Sequence, residues 1–153
     1  MPAFENGSHS EASKIAHFIG LPKWETIDDL ALVELVRKGF PAKTATTIAL
    51  RVDPQGRFFQ PTDIIPKATL HRRVKTHNRL LTKDESEKIL SLSKLFAEVI
   101  RLYHNDLNRA AQFLLAPHPM LGDRAPIDLA KESISGTELV LKILARADAG
   151  VAA

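Results

Sequence analysis

The chain contains no cysteine, which excludes a disulfide framework and any metal site built on thiolates. No apolar run approaches the roughly 20 residues that a membrane-spanning helix needs, and the opening "MPAFENGSHSEASK" lacks the apolar core of a signal peptide. We therefore expect a cytoplasmic protein. With 44% hydrophobic and 25% charged residues among 153, the composition is typical of a globular protein with room for one domain or two small ones.

Motifs of catalysis are also missing. The six histidines do not fall into HExxH or a similar metal-ligand spacing, and there is no GxSxG, P-loop or GxGxxG sequence. No pair of carboxylates stands out from the ordinary acidic residues of a protein surface. We therefore predict that the chain is not an enzyme and that it holds no metal or cofactor.

Positive charge is concentrated in one short window. The net charge is +3, yet residues 1–63, 84–105 and 106–153 each carry one more acidic than basic residue. Residues 64–83 carry six basic residues and no acidic one. Such clustering is typical of a surface that binds phosphates, although a solvated helix face is the alternative.

The apolar pattern predicts an all-α fold, because no segment alternates apolar and polar residues as a strand does. Residues 1–22 are polar, and we expect them to form a flexible N-terminal arm. A helix should follow the N-cap Thr26 and end at Gly39, with an apolar stripe formed by Leu30, Val33, Leu35 and Val36.

The next segments resemble a helix-turn-helix. A helix over "PAKTATTIALRV" is followed by the loop "DPQGRFFQP" and then by a basic helix, "KATLHRRVKTH", which starts after Pro66. Leu70 and Val74 form an i, i+4 pair that should face inward. In this motif the N-terminal part of the second helix enters the major groove of DNA. The loop here is longer than the tight turn of the minimal motif.

The C-terminal half should contain a long buried helix and shorter ones. Thr82 and Glu85 form a capping-box pattern for a helix that runs to about Tyr103. Asn105 or Asp106 can cap a further helix, and Pro126 begins another. The last helix should run from Ser135 to Gly150, with a broad apolar arc that either packs fully within the monomer or meets a partner along one flank.

Two patterns in these segments are distinctive. One is "TLHRR" followed by "RLLTKDES", and the other is P-x-P-x-L-G-x-R-x-P-x-[DE]-L, which begins at Pro117. With "KGFPAKTATTIA" and "GTELVLKILARADAGV", they resemble the Xre/MbcA/ParS-type antitoxins of bacterial type II toxin–antitoxin systems, over about residues 38–151. Within that family the chain resembles the RES–Xre subtype, whose partners are NAD-degrading RES-domain toxins. The family usually has a second glycine where Asp123 stands and a tryptophan near Phe113.

The resemblance implies two activities. A Cro-like helix-turn-helix domain, residues 41–105 with the long following helix, would bind operator DNA and autoregulate the operon. A small helical domain, residues 106–153, would bind the toxin and block its active site. Antitoxins of this kind usually form a homodimer or a larger hetero-oligomer with the toxin, and residues 23–40 are our candidate for dimerisation. The alternative is that residues 23–40 only support the helix-turn-helix.

Each activity has candidate residues. For DNA binding, base edges would be met by Lys67, Thr69, His71 and Arg72, and phosphates by Arg73, Lys75 and Arg79. For toxin binding, the last helix would supply Leu139, Leu141, Lys142, Ile143 and Arg146, with Gly150 and Val151 in a tail that reaches the toxin's active site. A free-standing transcriptional regulator without a toxin partner is the alternative function.

Overall fold

The computed structural model describes residues 9–76 and 79–148, which fold into eight α-helices without a β-strand. In chain order the helices are α1 (Glu11–Phe18), α2 (Asp29–Lys38), α3 (Lys43–Val52), α4 (Lys67–Lys75), α5 (Lys83–Leu102), α6 (Leu107–Leu115), α7 (Pro126–Glu132) and α8 (Ile134–Asp148). Short 3₁₀ turns lie at Trp24–Thr26, Pro61–Asp63 and Pro119–Leu121. The predicted all-α fold is confirmed for these residues.

Helix α5 is the centre of the molecule, and it packs against α1, α2, α3, α6 and α8. It begins at the predicted capping box: the Glu85 N–H donates to Thr82 Oγ1 (3.1 Å), and the Thr82 N–H donates to Glu85 Oε1 (2.8 Å). Ile89, Phe96 and Val99 are completely buried. Since a fully buried large apolar side chain contributes about 1.5–3 kcal/mol, this face of α5 is a main source of stability.

Residues 11–22 do not form the flexible arm that we predicted. Ser10 Oγ accepts a hydrogen bond from the Ser13 N–H (3.1 Å) and caps α1, whose apolar side is inserted into the core. Ala16 and Ile19 have no exposed surface. Among the polar residues of this segment, Ser10 caps the helix, and Ser13 is buried and donates a hydrogen bond to Ile27 O (2.9 Å).

The register of α2 also differs from the prediction. Its N-cap is Asp28, whose Oδ1 accepts from the Ala31 N–H at 2.8 Å, and not Thr26. Leu32, which the prediction left out, is buried. Of the predicted stripe, Val36 is buried and Leu35 packs partly against the core, whereas Leu30 is 70% exposed and Val33 is 61% exposed. Helix α2 therefore presents an apolar pair, one turn apart, on the surface of the chain.

Gly39 ends α2 as predicted, and the structure shows why a glycine stands there. Its φ is +103°, and a Cβ at this position would lie 2.0 Å from the backbone oxygen of Leu81. The close approach aligns two extended segments: the Leu81 N–H donates to Phe40 O (2.8 Å), and the Ala42 N–H donates to Arg79 O (2.7 Å). The α2–α3 connection is thereby fixed to the segment that precedes α5.

The C-terminal helices begin close to the predicted positions. Asp106 caps α6, Pro126 is the first residue of α7, and α8 starts at Ile134, one residue before the prediction. Helices α7 and α8 approach closely at Gly136. Only a glycine fits there, because a Cβ would lie 2.0 Å from Leu129 O. Helix α8 also packs along α5, so the C-terminal helices are attached to the same central helix as the rest of the chain.

Candidate functional site

Helix α4 lies on the surface and displays most of the predicted DNA-binding residues. None of its side chains is fully buried, and Lys67, His71, Arg72 and Lys75 are exposed. Thr69 is partly buried. Leu70 packs against the core as predicted, but Val74 is 51% exposed, so the predicted inward-facing pair is wrong for Val74. The arrangement leaves one basic face of α4 open to a partner.

Arg73 is the exception on this helix. Its Nη1 atom lies 2.6 Å from Glu85 Oε1 and donates a second hydrogen bond to Leu80 O (3.1 Å). The Arg73 and Glu85 side chains are only 21% and 17% exposed. This guanidinium is occupied in joining α4 to the start of α5, so the structure does not offer it to a phosphate as we expected.

The electrostatics of Glu85 fit this joining role. Burial acts to raise the pKa of its carboxyl, but the hydrogen bonds from the Thr82 backbone and from Arg73 outweigh burial and hold the pKa below its usual range. The carboxylate therefore stays ionised at neutral pH. One side chain thus caps α5 and anchors α4.

Arg79 remains exposed and lies where the chain returns from α4 toward α5. Its φ is +47°, and its backbone oxygen accepts the hydrogen bond from Ala42 described above. The side chain is thus displayed from a fixed stretch of backbone, next to the N-terminal end of α3.

Helix α8 presents some of the predicted toxin-binding residues and buries others. Lys142 and Arg146 are exposed, and Leu139 is 43% exposed. Leu141 is partly buried against the core, and Ile143 is 9% exposed. Ile143 points into the chain's own core, so the prediction that it contacts a partner is wrong for this conformation. The open face of α8 is one of mixed apolar and basic character.

The predicted tail residues Gly150 and Val151 lie outside the described residues. The structure does show what holds the end of α8. Arg101 of α5 forms an ion pair with Asp148 Oδ2 (2.9 Å) and another with Glu98 Oε1 (2.6 Å). Sequence reasoning missed this link, because the paired residues are far apart in the chain and their spacing gives no signal.

The proline-rich motif forms a compact turn between α6 and α7. The His118 N–H donates to Arg124 O (3.1 Å), Leu121 is buried, and Gly122 has φ +64°. Asp123 also adopts a left-handed conformation, with φ +61°. Arg124 pairs with Glu132 at the end of α7. These residues shape the turn and support α7.

A second contact that the sequence did not reveal joins the two halves of the chain. Lys131 of α7 lies 3.5 Å from Asp63 Oδ2 in the 3₁₀ turn that precedes α4. Asp63 Oδ2 also accepts the Gln60 N–H at 2.8 Å, which fixes that turn. This ion pair joins α7 directly to the 3₁₀ turn that precedes α4.

Neither surface carries the groups of a metal centre. Within residues 9–76 and 79–148, no group of three or more His, Asp or Glu side chains is arranged to hold a metal ion. In the same part of the chain, no helix is long and apolar enough to cross a membrane.

Comparison with known proteins bears on both halves of the chain. Residues 100–150 match a family model described as "Antitoxin Xre/MbcA/ParS C-terminal toxin-binding domain". The chain is also 29% identical over 134 residues to the "Antitoxin Xre" of Yersinia enterocolitica. The aligned region covers 87% of this chain and 86% of that protein. Both matches support the antitoxin family.

The match to the antitoxin model can be placed on the structure. It begins near the end of α5 and includes α6, the proline-rich turn, α7 and all described residues of α8. The matched region therefore contains Leu139, Lys142 and Arg146, the predicted contact residues that are exposed.

Proposed function

We propose that this chain is the antitoxin of a toxin–antitoxin pair, that its C-terminal helices bind and neutralise a RES-type toxin, and that α4 binds operator DNA. The match of residues 100–150 to a toxin-binding domain carries the first part of this proposal. The RES subtype rests on the sequence resemblance. DNA binding is supported by the exposed basic face of α4.

The toxin contact is assigned to the open face of α8. Leu139 supplies exposed apolar surface between charged neighbours, and Lys142 and Arg146 follow it on the same helix. An apolar residue ringed by polar ones is the usual composition of a binding anchor. The tail with Gly150 and Val151 would extend from this helix into the toxin's active site.

A point substitution tests this contact better than a truncation. A chain that ends at Ser133 would lose Val140 and Leu144, which are 0% and 1% exposed, and would be expected to unfold. Leu139→Asp should instead leave the fold intact and weaken toxin binding. The matched control is Leu50→Asp, which changes a leucine of α3 that is 57% exposed.

The first step is to determine whether the adjacent reading frame encodes a RES-type protein. If it does, the experiment is co-expression with that protein, with growth and cellular NAD⁺ as readouts. Cells that carry the L139D variant should lose NAD⁺, and cells with the L50D variant should keep it. If both variants protect equally, α8 is not the contact. If the adjacent frame encodes no RES-type protein, the subtype is wrong and a free-standing regulator becomes the better proposal.

Dimerisation through α2 is part of the same proposal. Leu30 and Val33 are exposed and lie one helical turn apart, as expected of residues that a second copy covers. Val33→Asp should shift the chain toward monomer in sedimentation velocity at micromolar concentration. An unchanged sedimentation coefficient would leave α2 with a supporting role only.

A further inference from the structure

Two paired segments next to α4 carry exposed basic residues. The DNA-binding prediction included Arg79 but not Lys38 or Lys43. Residues 37–43 and 79–83 together contain five Lys or Arg and no Asp or Glu. Two of the five have partners at the outer ends: Arg37 lies 2.6 Å from Glu34, and Lys83 lies 3.9 Å from Glu87.

Lys38, Lys43 and Arg79 remain, and we call them the basic rim. All three are exposed, and within the described ranges no carboxylate lies within 4.0 Å of their charged groups. The pKa of the Glu34 carboxyl is lowered mainly by the hydrogen bond from Arg37 and, to a smaller extent, by the charge of Lys38. Three charges of one sign on adjoining segments repel one another, so an anion bound there would be stabilised.

The rim stands on a rigid base. The backbone hydrogen bonds between residues 40 and 81 and between 42 and 79 hold the segments together, and the Phe40 N–H donates to Ser86 Oγ at 2.8 Å. The side chain of Phe40 is completely buried. The backbone that carries the rim is therefore attached to the segment before α5 and to α5 itself.

The same base is joined directly to α4. Arg73 of α4 donates to Leu80 O (3.1 Å), and Leu80 forms a backbone bridge with Pro41. A helix that enters the major groove, which is about 12 Å wide, is flanked on both sides by phosphate strands. A basic surface attached to the side of α4 is therefore placed to meet one of those strands.

We infer that the basic rim binds the phosphate backbone of duplex DNA beside α4, with Lys38 and Lys43 as contacts additional to the predicted ones. This inference rests on the proposed DNA binding by α4. The rim supplies affinity without sequence preference, because phosphates are the same at every base pair. Its role is to fix the orientation of α4 on the duplex.

The test uses the full chain and a fluorescently labelled random 30-bp duplex, with binding followed by anisotropy across a series of salt concentrations. The variants are Lys38→Gln and Lys43→Gln in the rim, Arg72→Gln on α4, and Lys94→Gln as a control. Lys94 is an exposed residue of α5 without a described ion pair, so its substitution removes the same charge elsewhere.

Each lost phosphate contact should reduce the slope of log K against log salt by about 0.9 and weaken binding roughly eightfold near 0.1 M salt. We expect this change for K38Q and K43Q and no such change for K94Q. If K38Q and K43Q behave like K94Q while R72Q weakens binding, the rim inference is wrong and α4 binding stands. If the unsubstituted chain does not bind the duplex, both proposals fail.

Discussion

Replacement of Arg73 by methionine separates an anchoring role from a DNA-contacting one. Methionine keeps much of the apolar length of the side chain and removes the ion pair with Glu85 and the hydrogen bond to Leu80 O. A hydrogen bond to a charged group contributes about 1.5–3 kcal/mol, and an exposed ion pair about 0–1 kcal/mol. The Arg73 and Glu85 side chains are mostly buried, but Glu85 keeps its hydrogen bond from Thr82. We therefore expect the free energy of unfolding to fall by about 2 kcal/mol.

Two assays measure the two roles. Urea unfolding followed by the fluorescence of Trp24, the one tryptophan of the chain, gives the free energy of unfolding. The salt dependence of duplex binding gives the number of phosphate contacts. Arg73→Met should lower stability, and weaken binding by displacing α4, while the salt slope stays unchanged. Arg72→Met should leave stability within about 0.5 kcal/mol, because Arg72 is exposed.

The pH dependence adds an independent check on the anchor. The folded-state pKa of Glu85 is lowered, so its contribution to stability is fully present above the ordinary carboxyl pKa and is lost as pH falls through the lowered one. Arg73→Met should therefore flatten the acid limb of the stability profile. If Arg73→Met is as stable as Arg72→Met and reduces the salt slope, Arg73 is a phosphate contact and the anchoring argument is refuted.

Two further substitutions test the backbone geometry, with urea unfolding as the measurement for both. Gly39→Ala should destabilise the chain by about 3 kcal/mol, because a Cβ would lie 2.0 Å from Leu81 O at a φ of +103°; a loss below 1 kcal/mol would show that the paired segments separate at little cost. Asp123→Gly should stabilise it by about 0.5 kcal/mol, since relief of the left-handed conformation exceeds the added freedom of the unfolded chain; a destabilisation would mean that the Asp123 side chain makes a compensating interaction.

Local signals in the sequence predicted much of the C-terminal half. The capping box at Thr82 and the start of α7 at Pro126 depend on residues within one turn of each other, and both are confirmed. The prediction left the cap of α6 open between Asn105 and Asp106, and the structure shows Asp106. The buried face of α5 follows from the helical spacing of its apolar residues.

Prediction was weaker where tertiary contacts decide. Leu30 and Val33 are as apolar as Leu32 and Val36, and only the packing of α2 against α1 and α5 determines which pair is buried. Arg73 cannot be distinguished from Arg72 by spacing, because the difference is the position of Glu85 across the fold. The same holds for Ile143, whose burial depends on how α8 lies along α5.

The residues that carry the family resemblance are mostly not those for which a partner contact is proposed. Gly122, Pro126 and Gly136 shape a turn, begin a helix and allow close packing of α7 on α8. Leu139 and Lys142 are exposed on the open face of α8 and are not part of the buried core. A match over residues 100–150 therefore supports an antitoxin-like scaffold, whereas the proposed toxin contact lies on exposed side chains outside the buried core. For this reason exchange of the exposed α8 residues, with the turn left intact, is the experiment that bears on the RES subtype.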